Sequence, residues 1–82
     1  MQHVTLDDII DIFGELIDLS ELKIDESAVL GDDIPVDSGD MLRVISRVEA
    51  KYSFKFEPEE ILRLKTLGDF FEIVRSKAGK KD

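Results

Sequence analysis

The sequence predicts an all-α fold: a small four-helix bundle of three longer helices and one short one, with a long loop between helices one and two. Three observations point there. Apolar residues recur at i, i+3, i+4 and i+7 in three separate segments. Two of those segments open on capping signatures, Thr5 with Asp8 and Thr66 with Asp69. No strand pattern competes, because the alternating run Tyr52-Ser53-Phe54-Lys55-Phe56 stands alone with no partner to pair with.

Helix one is expected from about Leu6 to Leu19. Thr5 and Asp8 lie three residues apart, the spacing at which each side chain satisfies the other's backbone N–H. Leu6, Ile9, Ile10, Phe13, Leu16 and Ile17 form the buried stripe, and Asp7, Asp8, Asp11, Glu15 and Asp18 take the wet side. Gly14 interrupts the pattern at a cost of about 1 kcal/mol relative to alanine. A helix crossing closely at that point is the expected reason. Residues 20–37 lack sustained periodicity and carry Gly31, Pro35 and several aspartates, so they read as a loop. Leu22, Ile24, Val29, Leu30 and Ile34 are too many apolar side chains for a free linker, so the loop should be pinned across the bundle. Loops this long in compact domains are often functional.

Helix two should span about Ser38 to Ser53, burying Met41, Val44, Ile45, Val48 and Tyr52 with Leu42 at the margin. Pro58 suits the first turn of a short third helix over residues 58–64, where its missing N–H is not needed. Ile61, Leu62 and Leu64 are its expected anchors. The last helix, opened by Thr66-Leu67-Gly68-Asp69, should face the core with Leu67, Phe70, Phe71 and Val74. The tail from about residue 78 to 82 is expected to fray. Residues 1–82 thus make a single domain, and a chain of this length buries about 60–65% of its unfolded surface.

Composition narrows the function. The chain has no cysteine, so disulfides, thiolate zinc sites and cysteine nucleophiles are excluded. Met1-Gln2-His3-Val4 has no basic, apolar leader character, and no apolar run approaches the roughly 20 residues of a membrane span. A cytoplasmic location is the expectation. A net charge of -8 argues against nucleic acid, whose phosphates call for a basic face. The charge is unevenly placed. Residues 1–40 hold twelve acidic side chains and one basic one, Lys23, whereas residues 41–82 hold seven acidic and ten basic.

Ser38 is the most informative residue. It lies between Asp37 and Asp40 in the run Ile34-Pro35-Val36-Asp37-Ser38-Gly39-Asp40, immediately before the helical pattern begins. Pro35 and Gly39 disfavour helix, which places the serine on an exposed corner. A hydroxyl at a helix N-terminus suits attachment of a phosphate, since free N–H groups and the helix dipole favour negative charge there. A serine in that place also suits a simple N-cap, and Asp37 and Asp40 suit the first turn for the same electrostatic reason. Catalysis by Ser38 is unsupported: His3 is the only histidine, it sits near the N-terminus, and no G-x-S-x-G elbow is present. A calcium loop counted from Asp33 fails, because Pro35 falls at position three, Ser38 at position six and Val44 at position twelve.

The order of these features over nearly the whole chain resembles the acyl carrier protein family. There a serine-led helix ends in an aromatic region, here Tyr52 to Phe56, followed by a Pro/acidic turn, here Glu57-Pro58-Glu59-Glu60, and a Thr-initiated last helix. The resemblance implies an acyl-carrier-type bundle that is not an enzyme. It implies 4′-phosphopantetheine attached covalently at Ser38 by a phosphopantetheinyl transferase, with Asp37 assisting recognition or metal binding. It further implies acyl intermediates held as thioesters for acyl-transferring or condensing enzymes, and a monomeric carrier.

Two departures point to a specialised carrier, in lipid or lipopolysaccharide acylation or a polyketide or peptide pathway, rather than the housekeeping fatty acid biosynthesis carrier. Gly39 replaces the leucine that follows the serine in the family, so Val36 or Met41 is the expected substitute contact. Arg43, Arg47, Lys51 and Lys55 recur every four residues along helix two, where the family is acidic. This stripe has three readings: a solvated face, a surface covered by the loop acids Asp25, Glu26, Asp32 and Asp33, or a docking face for an acidic partner. Gly39, Asp40, Met41, Arg43 and Arg47 are the expected docking residues. Phe13, Phe54, Phe56, Phe70 and Phe71 serve either as core or as the lining of an acyl cavity. The alternative from another class is a helical protein-interaction module that keeps the fold without phosphopantetheine.

Overall fold

The computed structural model describes residues 3–79, and four helices follow one another: α1 (Leu6–Leu16), α2 (Ser38–Tyr52), α3 (Pro58–Leu62) and α4 (Leu67–Gly79). Among the described residues there is no strand, only isolated bridges between Val29 and Thr66 and between Leu30 and Ile34. The expected all-α bundle, with its long first loop, is what the chain forms. The tail expected to fray lies outside the described residues from 80 onward, while Ala78 is helical and 1% exposed in the core.

Both predicted capping boxes are present. The Asp8 N–H donates to Thr5 Oγ1 at 3.1 Å, and the Thr5 N–H donates to Asp8 Oδ2 at 3.0 Å. At α4 the Asp69 N–H donates to Thr66 Oγ1 at 3.1 Å, and the Thr66 N–H donates to Asp69 Oδ2 at 3.0 Å. Helix α1 packs against both α2 and α4. Its buried residues are Ile9, Ile12 and Phe13, so the stripe is rotated toward Ile12, and Leu6, Ile10, Leu16 and Ile17 line its margins.

Helix α1 ends at Leu16, a turn earlier than the expected Leu19. The cause is local: Asp18 Oδ1 accepts from the Ser20 N–H at 3.0 Å and the Ser20 hydroxyl at 2.7 Å. Such side-chain turns compete with helical hydrogen bonds. Gly14 faces open space, with nothing within 4 Å of where a Cβ would stand. The expected close helix crossing is therefore absent. Close approach occurs instead at Gly68, where a Cβ would come within 3.0 Å of the Glu26 carbonyl oxygen.

The loop is pinned, as expected, but mainly by other atoms than those anticipated. Ala28, Ile34 and Val36 are the buried side chains, while Leu22 and Val29 are exposed. Main-chain bonds tie the loop to the start of α4: Leu30 N–H to Lys65 O, Leu67 N–H to Ala28 O and Gly68 N–H to Glu26 O, each at 2.9 Å.

Helix α2 buries Val44, Ile45, Val48 and Tyr52 and stops at Ser53, which adopts a left-handed conformation at φ 58 and ψ 52. That reversal turns the chain back on itself. Glu49 fixes it by accepting the Phe56 N–H on Oε2 at 2.8 Å. Phe56 thereby joins Phe70 and Phe13 in the core, with ring centroids 5.5 Å and 5.4 Å apart along that chain. Helix α3 ends at Leu62, short of the expected residue 64, and only part of the anchoring occurs: Ile61 and, just past the helix, Leu64 pack on the core, whereas Leu62 points outward and is 84% exposed. A five-residue helix has room for one inward side.

Candidate functional site

The site begins with how α2 is capped. The N-cap is Asp37 rather than Ser38: Asp37 Oδ1 accepts from the Asp40 N–H at 2.8 Å, and the Asp37 N–H donates to Asp40 Oδ2 at 3.2 Å. This reciprocal pair was not anticipated, although Asp37 and Asp40 have the same three-residue spacing as Thr5 with Asp8 and Thr66 with Asp69. Its consequence is chemical. With the cap supplied by Asp37, Ser38 occupies the first helical position, exposed, and its hydroxyl enters none of the hydrogen bonds among the described residues. The N-cap reading of Ser38 is therefore corrected. Ser38 and Gly39 sit where helix N–H groups have no intrahelical acceptor, at the positive end of the α2 dipole.

A compact turn holds the approach to this serine. The Asp32, Asp33 and Ile34 N–H groups all donate to Val29 O, at 3.1, 2.8 and 3.1 Å, and the Val29 N–H donates to Asp33 Oδ2 at 2.9 Å. Gly31 takes φ +90, which favours glycine, and its N–H donates to Ile34 O at 2.8 Å. Ile34 and Val36 are buried below the turn, so the chain reaches Asp37 from a fixed direction. Beside Ser38 opens a cleft of about 200 Å³ whose lining includes Val36, Met41, Ile45, Ile61 and Leu64. No phenylalanine lines it. Phe13, Phe56 and Phe70 stack within the core instead.

The structure groups the predicted residues into two neighbouring sets. Asp37, Ser38, Gly39, Asp40 and Met41 lie at the start of α2, with Met41 half-buried in the cleft and Val36 buried at 8% exposure. Burial removes Val36 as a surface substitute for leucine; the apolar side chain that α2 presents is Leu42, 61% exposed. Arg43 and Arg47 form the second set. Arg43 approaches Asp40 at 3.5 Å and Arg47 pairs with Glu15 at 2.8 Å. Their acidic neighbours thus come from α1 and the first turn of α2, not from the loop acids Asp25, Glu26, Asp32 and Asp33. Asp25 is occupied within its own turn, where the Ser27 hydroxyl and N–H donate to its carboxylate and hold its pKa below the ordinary range. Among the described residues no cluster of three His, Cys, Asp or Glu side chains is arranged to hold a metal, and no helix is long and apolar enough to cross a membrane.

Ser38 thus presents an exposed hydroxyl, without a hydrogen-bond partner among the described residues, at the first turn of a helix and beside an apolar cleft of the four-helix bundle. The family model described as "Phosphopantetheine attachment site" matches residues 7–74, and the chain belongs to that family. The chain is also similar to curated proteins named acyl carrier protein. One, from Rhodococcus erythropolis, is 32% identical over 92% of this chain and 86% of its own length. Another, from Chlamydia caviae, is 25% identical over 89% of this chain and 95% of its own. A third, from Cyanophora paradoxa, is 27% identical over 76% of this chain, and the match spans 60% of its own length. No solved structure matches the chain at a comparable level. The group this family carries is 4′-phosphopantetheine. The site fits it: a free hydroxyl on an open corner, helix N–H groups for a phosphate, and apolar surface alongside. Family members are carriers, not enzymes.

Proposed function

We propose that the chain is an acyl carrier protein whose phosphopantetheine is attached through Ser38 Oγ, acting in the cytoplasm as a specialised carrier rather than the housekeeping one of fatty acid synthesis. The observation that carries this reading is the release of the Ser38 hydroxyl from capping by Asp37. The one histidine of the sequence, His3, is exposed before α1. In the attachment step the modifying transferase takes the hydroxyl proton as the Ser38 Oγ–phosphorus bond forms, and the adenosine bisphosphate half of coenzyme A leaves as the diphosphate bond breaks. Asp37 is the residue best placed to be read by that enzyme, because Asp40 also faces Arg43. When bound, the group supplies a terminal thiol that holds acyl cargo as a thioester. Gly39, Asp40, Met41, Arg43 and Arg47 serve as docking residues for the transferase and for acyl-transferring or condensing enzymes.

The test is intact-mass measurement after incubation with coenzyme A and a broad-specificity phosphopantetheinyl transferase. The parent chain should gain one phosphopantetheine and Ser38→Ala none. A parent that stays bare would leave a helical interaction module instead. The specialised role has its own check. A Cβ at Gly39 would meet only Asp37 Oδ1, at 3.4 Å, so Gly39→Leu should fold. It should then be served faster by fatty-acid-synthesis enzymes than the parent is; equal rates would discard the role assigned to Gly39.

A further inference from the structure

A shallow groove runs between the end of α1 and the outer face of α2, enclosing about 460 Å³ between Leu16, Leu42, Arg43, Ser46, Arg47 and Ala50. We propose that it seats an acidic protein partner, which inserts one apolar side chain between carboxylates that meet Arg43 and Arg47. The shape follows from helical spacing. Leu42, Ser46 and Ala50 fall at i, i+4 and i+8, one strip of α2, and the small side chains of Ser46 and Ala50 make that strip a furrow. Leu42 at its head is 61% exposed, and Leu16 from α1 forms the opposite wall.

The charge selects the occupant. Arg43, Arg47 and Lys51 make the adjoining strip of a chain whose net charge is -8. The arginine side chains remain 70% and 53% exposed despite their contacts with Asp40 and Glu15. Exposed pairs of this kind are exchanged at little cost, and a guanidinium receives an incoming carboxylate in a two-point fork. A flat anionic bilayer is disfavoured, because Asp11, Glu15 and Asp18 stand together on the neighbouring face of α1 and would meet it too. A discrete carboxylate patch avoids Asp11 and Asp18 and displaces only Glu15 from its exposed pair with Arg47. The inference rests on the carrier reading only in making the partner an enzyme that handles cargo; the contact involves neither Ser38 nor its modification.

Amide shifts of the full chain, titrated with designed helical peptides, test it. The first peptide carries one leucine ringed by glutamates; the second replaces those glutamates by lysines; the third replaces the leucine by alanine. The first should shift Leu16, Leu42, Arg43, Ser46, Arg47 and Ala50, and the other two should bind at least ten-fold more weakly. Raising salt from about 20 to about 200 mM should weaken the first several-fold. Arg43→Glu with Arg47→Glu should cost ten-fold or more. Leu42→Ser, at an exposed position, gives the same direction without charge reversal. Ser38→Ala should bind like the parent, so this surface and the attachment site fail separately. Absence of shifts in the groove, equal binding of the lysine peptide, or binding to phosphatidylglycerol vesicles in its place would overturn the proposal.

Discussion

Gly14 and Asp37 show how far a single residue's meaning depends on what surrounds it. A glycine inside a helix costs about 1 kcal/mol relative to alanine, and the usual compensation is space for a neighbour. Here that space is empty. Gly14→Ala should therefore raise stability by about 0.5–1 kcal/mol, visible as a shift in urea midpoint with an unchanged slope. A loss of stability would reveal a contact at that position. Asp37 and Ser38 make the opposite point. Their identity was legible in sequence, but the division of labour between them was not, because either side chain can cap. Two aspartates at capping-box spacing do not follow the Ser/Thr-to-Glu form of that motif, so the reciprocal pair emerged only from the geometry.

At the scale of elements, short-range chemistry decides the helix ends. Thr5 and Thr66 were readable because a cap is local. The early end of α1 was not, because the helical pattern continues past the Asp18 to Ser20 turn that breaks it. One lysine far away in sequence ties α3 to α4. Lys77 Nζ donates to Lys55 O at 2.7 Å and to Glu60 Oε1 at 2.8 Å, and the Glu57 N–H donates to the same Glu60 oxygen at 2.7 Å. The Glu57 N–H, followed by Lys77, lowers the Glu60 pKa. The stabilisation that results is complete above the unfolded value of about 4.3 and is lost as pH falls through the lower folded value. Lys77→Met should cost about 1–2 kcal/mol near neutral pH. It should also flatten the loss of stability below about pH 4, and Glu60→Gln should flatten it further. Denaturant melts across that range, showing parallel pH curves for all three proteins, would refute the assignment.

For the molecule as a whole, the bundle was legible because three amphipathic patterns must cover one another, whereas the loop's course was not. Its attachments are main-chain bonds from residues 26–30 to residues 65–68, which leave no trace in hydropathy. Leu22 and Val29 looked like anchors and are exposed, while Ala28 is buried. Gly68 is the residue that permits the junction, so Gly68→Ala should force the loop off α4. The expected cost is about 1–3 kcal/mol, as for other overpacked contacts, with faster amide exchange at Leu30 and Leu67. Wild-type exchange rates there would show that the loop yields without letting go. The clamp is made of peptide groups, which every amino acid brings. Exposed positions such as Glu21, Lys23 and Asp32 can therefore be recoded by an engineer at will, through tags, dyes or new charge, while the corner that opens α2 stays where it is.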